Sequence, residues 1–194
     1  MRLYDNAGST NALKVRILLA ELGLDVERVE VPLGGPRPES YDEIHPFGLI
    51  PALVDGDVTI TESNVALRYL AEREGRDDLR GATPAERARI DGLLDTLSLE
   101  LRPLLLGVEE FAAYGVAVED PDARVAALEL ALTRYDTLLD PVGPWATGRT
   151  FTIADCALGG RALHLPDLPL SESCAPRLRR VLATLSARPS FREA

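Results

Sequence analysis

Apolar positions in the first third of the chain come as short runs and alternations, and beyond that they recur every three to four residues, so strands are expected early and helices afterwards. Arg2-Leu3-Tyr4 is a short strand. Val15, Ile17, Leu18, Leu19 and Leu22 then share a helical face that should stop at Gly23. Val26 to Val31 alternates with charges and reads as a half-exposed strand, followed by the turn-rich Pro32 to Pro38 and a short irregular helix over 39–44. Ala52-Leu53-Val54 and Val58-Thr59-Ile60 flank Asp55-Gly56-Asp57, a pattern that specifies a β-hairpin because Asp-Gly tolerates the positive φ of a tight turn. Val65, Leu67, Tyr69 and Leu70 continue as a helix that should end near Glu74-Gly75.

The segment 76–82 is charged and flanked by glycines, which marks a linker between a unit over 1–75 and a second over 83–194. Everything in the second unit is expected to be helical. Thr83-Pro84-Ala85-Glu86 combines a capping threonine, a proline at the first helical position and a glutamate at the third. The helix it starts should be kinked or broken at Pro103, which has no N–H to give. Another helix spans about Pro121 to Leu139, with Val125, Leu128, Leu132, Tyr135 and Leu139 on its apolar side, and Thr152-Ile153-Ala154-Asp155 is a further capping box preceded by Phe151. Leu178, Val181, Leu182 and Leu185 imply a last helix that ends before Arg188-Pro189.

Charge and composition narrow the function. A formal charge of −10 opposes nucleic acid and anionic membrane surfaces as partners. No apolar run approaches the length of a membrane span, and Met1-Arg2-Leu3-Tyr4-Asp5 lacks signal-peptide character, so a cytoplasmic protein is expected. Cys156 and Cys174 form no C-x-x-C, and His45 and His164 stand alone, so neither redox chemistry nor a metal site is expected. Lys14 is the only lysine.

The chemistry gathers at the hairpin. Pro51 opens a strand and has no N–H to donate; with a cis bond it would turn the Ile50 backbone outward, toward the main chain of a peptide ligand. Ser63, at a helix N-terminus, offers N–H groups and a hydroxyl to a carboxylate, while Glu62 offers an acceptor to an ammonium. Ile50-Pro51 and Glu62-Ser63 resemble the (I/V)-P…(E/Q)-S signature of the glutathione S-transferase family. That resemblance runs over nearly the whole chain and implies an α/β thioredoxin-like N-terminal domain followed by an all-α C-terminal domain. It further implies that Ile50 pairs with the cysteinyl backbone of glutathione, that Pro51 is the cis-proline, and that Glu62 and Ser63 hold the γ-glutamyl end.

The loop after the first strand, Gly8-Ser9-Thr10-Asn11, faces this site if ligands gather where strands give way to helix N-termini. A thiol with a pKa near 8.5 becomes a better nucleophile when a hydroxyl donor and a helix N-terminus favour the thiolate. Ser9 is similar to the activating serine of theta- and zeta-like classes, and Thr10 and Asn11 fall where zeta-like proteins carry serine and cysteine. All three are also preferred helix caps, and one of them is expected to serve as such. Leu49 departs from the family, which often has lysine or glutamine at that place to contact the tripeptide. Arg16, Arg37 or Arg68 would then have to supply positive charge, and the sequence does not rank them.

The second substrate would be a small hydrophobic electrophile held by Phe111, Tyr114 and the stretch Leu163-His164-Leu165-Pro166. The resemblance implies a glutathione transferase, with glutathione as co-substrate, no metal, and a homodimer. A glutathione-dependent isomerase or dehalogenase of the same fold stands as an alternative. So does a non-catalytic binding module or a user of a different small thiol.

Overall fold

A computed structural model describes residues 1–112, 115–162 and 164–194. The chain begins with β1 (Arg2–Asp5), α1 (Thr10–Leu22), β2 (Glu27–Glu30), α2 (Tyr41–Ile44), β3 (Ala52–Asp55), β4 (Val58–Ile60) and α3 (Ser63–Arg73). The sheet runs in the order β2-β1-β3-β4, with β1 parallel to β2 and antiparallel to β3. This is the thioredoxin-like arrangement. Parallel pairing of β1 with β2 requires a crossover, which α1 supplies. Antiparallel pairing of β3 with β4 needs only the two-residue turn, in which Gly56 takes φ 61°. Gly23, at φ 65°, ends α1 as expected, its N–H bonding to Ala20 O.

The rest is helical: α4 (Asp77–Arg80), α5 (Pro84–Thr96), α6 (Arg102–Ala112), α7 (Pro121–Asp136), α8 (Ile153–Arg161), α9 (Pro176–Ser186) and α10 (Pro189–Glu193). The expected linker is thus partly a helical turn. Leu79 is buried in the main core, and Arg80 pairs with Glu72 on α3 and Asp91 on α5, so the segment is held from both sides. The capping box at Thr83 forms, with Glu86 accepting from the Thr83 N–H. At Thr152, the fully buried Asp155 accepts from the Thr152 and Ala146 N–H groups at 2.9 and 2.8 Å. It therefore fastens the loop before α8 as well as the helix itself.

Pro103 neither ends nor sharply breaks its helix. The preceding residues, Leu97–Leu101, widen into a π-turn, the Arg102 N–H reaches back to Leu97 O, and Pro103 falls in the first turn of α6. A widened turn accommodates a residue with no N–H and a ring that would otherwise press on the preceding turn. It also leaves Leu99 73% exposed, on the side of the molecule where the candidate site lies. A short α10 follows the helix that was expected to be last.

Helix α8 is buried along its whole length and packs on α1 through adjacent glycines, Gly159 and Gly160. One continuous core runs from Leu3 and Ile17 through Leu94 to Leu158 and Leu185, joining the sheet to the helical part. Among the described residues no helix is long and apolar enough to cross a membrane.

Candidate functional site

Where β1, α1, the loop before β3 and the start of α3 meet α6 and the end of α8, a cleft of about 490 Å³ opens. The eight residues assigned from the sequence to the thiol and the tripeptide line it: Ser9, Thr10, Asn11, Leu49, Ile50, Pro51, Glu62 and Ser63.

Ser9 is the cap of α1, its Oγ accepting from the Ala12 N–H at 3.2 Å, and it is buried. Capping uses the oxygen as acceptor and leaves the O–H free to donate, so a cap and a thiolate donor are the same geometry. Thr10 and Asn11 begin the helix, and their N–H groups are the orphan donors of its first turn. The Thr10 hydroxyl accepts from Arg161 Nη1 at 2.7 Å, and Arg161 Nη2 lies 3.5 Å from Glu109 Oε2. Arg161 thereby ties the N-terminus of α1 to α6, a connection across 151 residues that no local pattern announces.

The Ile50–Pro51 bond is cis. The registered β1–β3 pairs begin at Ala52, and the Ile50 N–H and C=O make no hydrogen bond among the described residues. A strand-like main-chain edge is therefore presented to the cleft. The loop before it is held by side chains: the Tyr41 hydroxyl donates to Leu49 O at 2.7 Å, and Arg37 Nε donates to Gly48 O at 2.8 Å. His45, 1% exposed, accepts at Nδ1 from the Phe47 N–H, so its Nε2 carries the proton and donates to Thr61 O at 3.2 Å. His45 is thus a loop residue that sets the spacing between Ile50 and Glu62.

Glu62 caps α3 through its backbone, with no side-chain capping bond, and its carboxylate is exposed at the cleft. Ser63 is buried in the first turn, where unbonded N–H groups and the helix dipole favour an anion. Lys14, which the sequence reading passed over, reaches this point from α1: its Nζ lies 3.5 Å from Ser63 Oγ and 3.3 Å from Asn64 Oδ1. Burial first, then the charges of Arg161 and Arg102, pull its pKa down to about 7, while Glu62 acts in the opposite sense.

The arginines are now ranked. Arg16 is buried against Asp5, and Arg68 pairs with Asp91 and Asp95, so of the three only Arg37 lines the cleft. The wall facing α1 is built from Ser98, Leu99, Arg102, Leu106, Glu109 and His164. The Arg102 side chain makes no hydrogen bond or ion pair among the described residues. The expected second-substrate region fares less well. Phe111 packs on the main core, and Leu165 and Pro166 line a separate pocket with Leu182 and Phe191. Tyr114 and Leu163 lie outside the described residues. The apolar side chains of that wall are Leu99, which the π-turn leaves exposed, and Leu106.

Residues 1–72 match the family model described as Glutathione S-transferase, N-terminal domain. Glutathione S-transferase 3 of Zea mays is 30% identical, the alignment covering 100% of this chain and 92% of the maize protein. Maleylacetoacetate isomerase of Pseudomonas aeruginosa is 29% identical, over 100% of this chain and 95% of that protein. The theta class glutathione S-transferase from the citrus canker pathogen Xanthomonas axonopodis pv. citri, solved with glutathione bound, superposes with a TM-score of 0.84 at 27% identity. That match covers 98% of this chain and 94% of the other. With a full-length relative at this level of identity, a matching N-terminal domain and the same fold, the chain belongs to the glutathione S-transferase family.

Proposed function

We propose that the cleft binds glutathione and turns its thiol into a nucleophile for a second substrate held against α6. The observation that carries this reading is that eight residues spread from Ser9 to Ser63 line one cleft, with each chemical group the tripeptide needs in turn. Glu62 accepts from the γ-glutamyl ammonium, and Ser63 with the α3 N-terminus takes its carboxylate. The free N–H and C=O of Ile50 pair with the cysteinyl main chain. Arg37 supplies a charge beside Leu49, whose own side chain has no polar group to offer. The Ser9 hydroxyl and the α1 N-terminus then meet the sulfur, and both favour the thiolate.

In the transferase reaction the thiolate forms a C–S bond to an electrophilic carbon and the leaving group departs with its electron pair. Leu99 and Leu106 suit a small hydrophobic electrophile. Isomerisation, in which the C–S bond forms and later breaks to return the thiol, is favoured by Arg102, an unpaired cation in the cleft wall that fits a second substrate bearing a carboxylate. Product analysis separates the two: a thioether adduct or a rearranged substrate with glutathione recovered.

Glutathione should bind the wild-type protein in calorimetry, and Ser63→Ala should weaken it about tenfold, the value of roughly one hydrogen bond to a charged group. No heat and no thermal shift at millimolar glutathione would overturn the reading in favour of another thiol or a module without this ligand. We place the protein in the cytoplasm as a homodimer, the latter supported by Phe47 and Val65, exposed at 83% and 45% beside the cleft and on α3. Light scattering at micromolar concentration should return twice the chain mass, and a monomer would reject it.

A further inference from the structure

Lys14 is a costly residue to keep. It is the chain's only lysine, it is 1% exposed, and its aliphatic stem is pressed against Gly160 of α8 while its ammonium sits beneath the floor of the cleft. No carboxylate forms an ion pair with it among the described residues, and its polar partners are Ser63 Oγ and Asn64 Oδ1. The Asn64 amide is locked in that orientation, since its Nδ2 donates to Leu94 O and to Ser98 Oγ, both at 3.0 Å. Arg161 from α8 and Arg102 from α6 face Lys14 with like charge, and Glu62, at the head of α3, is the anion acting on it. An ammonium held there lacks a full counter-charge until an anion arrives.

A lysine that donates to Ser63 Oγ also settles what the serine does. With its oxygen accepting from Lys14 at 3.5 Å, the Ser63 hydroxyl keeps its own hydrogen to donate to a ligand in the cleft it lines. We propose that Lys14 is a positioning residue for the carboxylate of a γ-glutamyl ligand: it orients the Ser63 hydroxyl toward that carboxylate and takes up a solvent proton as the ligand binds. This rests on the glutathione reading and adds to it a proton that neither Glu62 nor Ser63 supplies. The ligand's negative charge stabilises the ammonium, so Lys14 is more fully protonated in the complex than in the free protein.

The sign is fixed by that difference. Below the free-protein pKa of about 7 the ammonium is present before and after binding, and affinity is highest. Above it each binding event must draw a proton from solvent, so affinity falls as pH rises, by about tenfold between pH 6 and 8. S-methylglutathione is the suitable probe, because its blocked sulfur removes the thiol titration. Calorimetry in two buffers of different ionisation heat should read an uptake approaching one proton per site at pH 8 and little at pH 6. Lys14→Met keeps the stem against Gly160 and loses the ammonium; it should bind about tenfold more weakly at pH 6 and show no slope. An analogue amidated at the γ-glutamyl α-carboxyl should bind without proton uptake, which assigns the effect to that end and not to the glycyl carboxylate. Wild-type binding with no uptake, or a slope retained in Lys14→Met and therefore owed to another group, would overturn the inference alone. Failure of S-methylglutathione to bind at any pH would overturn the glutathione reading and this inference with it. The wild-type measurement needs no variant, so a misfolded Lys14→Met leaves the test intact.

Discussion

Ser9→Ala should lower kcat/KM with glutathione and an electrophilic acceptor by about 10²- to 10³-fold, the loss seen when one preorganised donor to a developing anion is removed. The expectation follows from where the hydroxyl sits. Its oxygen accepts from the Ala12 N–H, and its hydrogen is left to face the cleft. Because Ser9 also caps α1, the same substitution should cost about 1 kcal/mol of stability, and the two effects have to be told apart. Ser9→Gly does so. Glycine at a cap costs only a few tenths of a kcal/mol relative to serine, yet it lacks the hydroxyl as fully as alanine does. If the hydroxyl is the donor, both variants lose activity alike while their urea midpoints differ. The absorbance of the thiolate in the binary complex should titrate at higher pH in both than in wild type. Activity that follows stability instead would make Ser9 a cap alone and pass the donor role to Asn11 or Thr10. Of these, Thr10 is already held by Arg161.

What the sequence shows about this site and what it hides divide along a physical line. The hairpin at Gly56, the caps at Thr83 and Thr152 and the C-cap at Gly23 are written in residues a few positions apart, because turns and helix ends are satisfied locally. Ser9, Ile50 and Ser63, which line the cleft, stand at element boundaries, where backbone groups go unpaired and the motifs that resemble the family's are short. Lys14 was not, since a lysine inside an apolar helical run gives no sign of the serine and asparagine it meets some fifty positions later. Arg161 and Glu109 were hidden likewise, because their value lies in joining α8 and α6 to the start of α1. At Pro103 the sequence marked an irregularity without its form, a π-turn in place of a break. A proline predicts a break only for a regular helix, and the π-turn ahead of it removes the conflict while turning Leu99 toward the cleft. Leu165 and Pro166 are apolar and follow α8 closely, but they face α9 and α10 rather than the cleft.

The contact that carries most of this long-range order is the approach of α8 to α1, and Gly160→Ala should break it. A Cβ at position 160 would lie 2.5 Å from Thr10 O, 2.9 Å from Lys14 N and 2.4 Å from Lys14 Cγ. Two of those three atoms are backbone, so no rotamer change relieves the clash and the helices themselves have to separate. At position 159 the nearest atoms are side-chain tips, Leu185 Cδ2 at 2.5 Å and Ile17 Cδ1 at 3.0 Å, which can swing aside. Overpacking a core costs typically about 1–3 kcal/mol and more where backbone must move, so Gly160→Ala is expected at or above about 3 kcal/mol and Gly159→Ala nearer 1. Chemical denaturation of the pair measures the contrast. The functional consequence differs more sharply than the stability. Displacing α8 from Thr10 and Lys14 loosens the Arg161–Thr10 bond and the Lys14–Ser63 contact together, so the folded fraction of Gly160→Ala should bind glutathione at least tenfold more weakly than wild type. Gly159→Ala, which meets only side-chain tips and none of the α1 backbone, should keep its affinity. Equal losses in the two variants would mean that the cleft does not depend on how closely these helices pack.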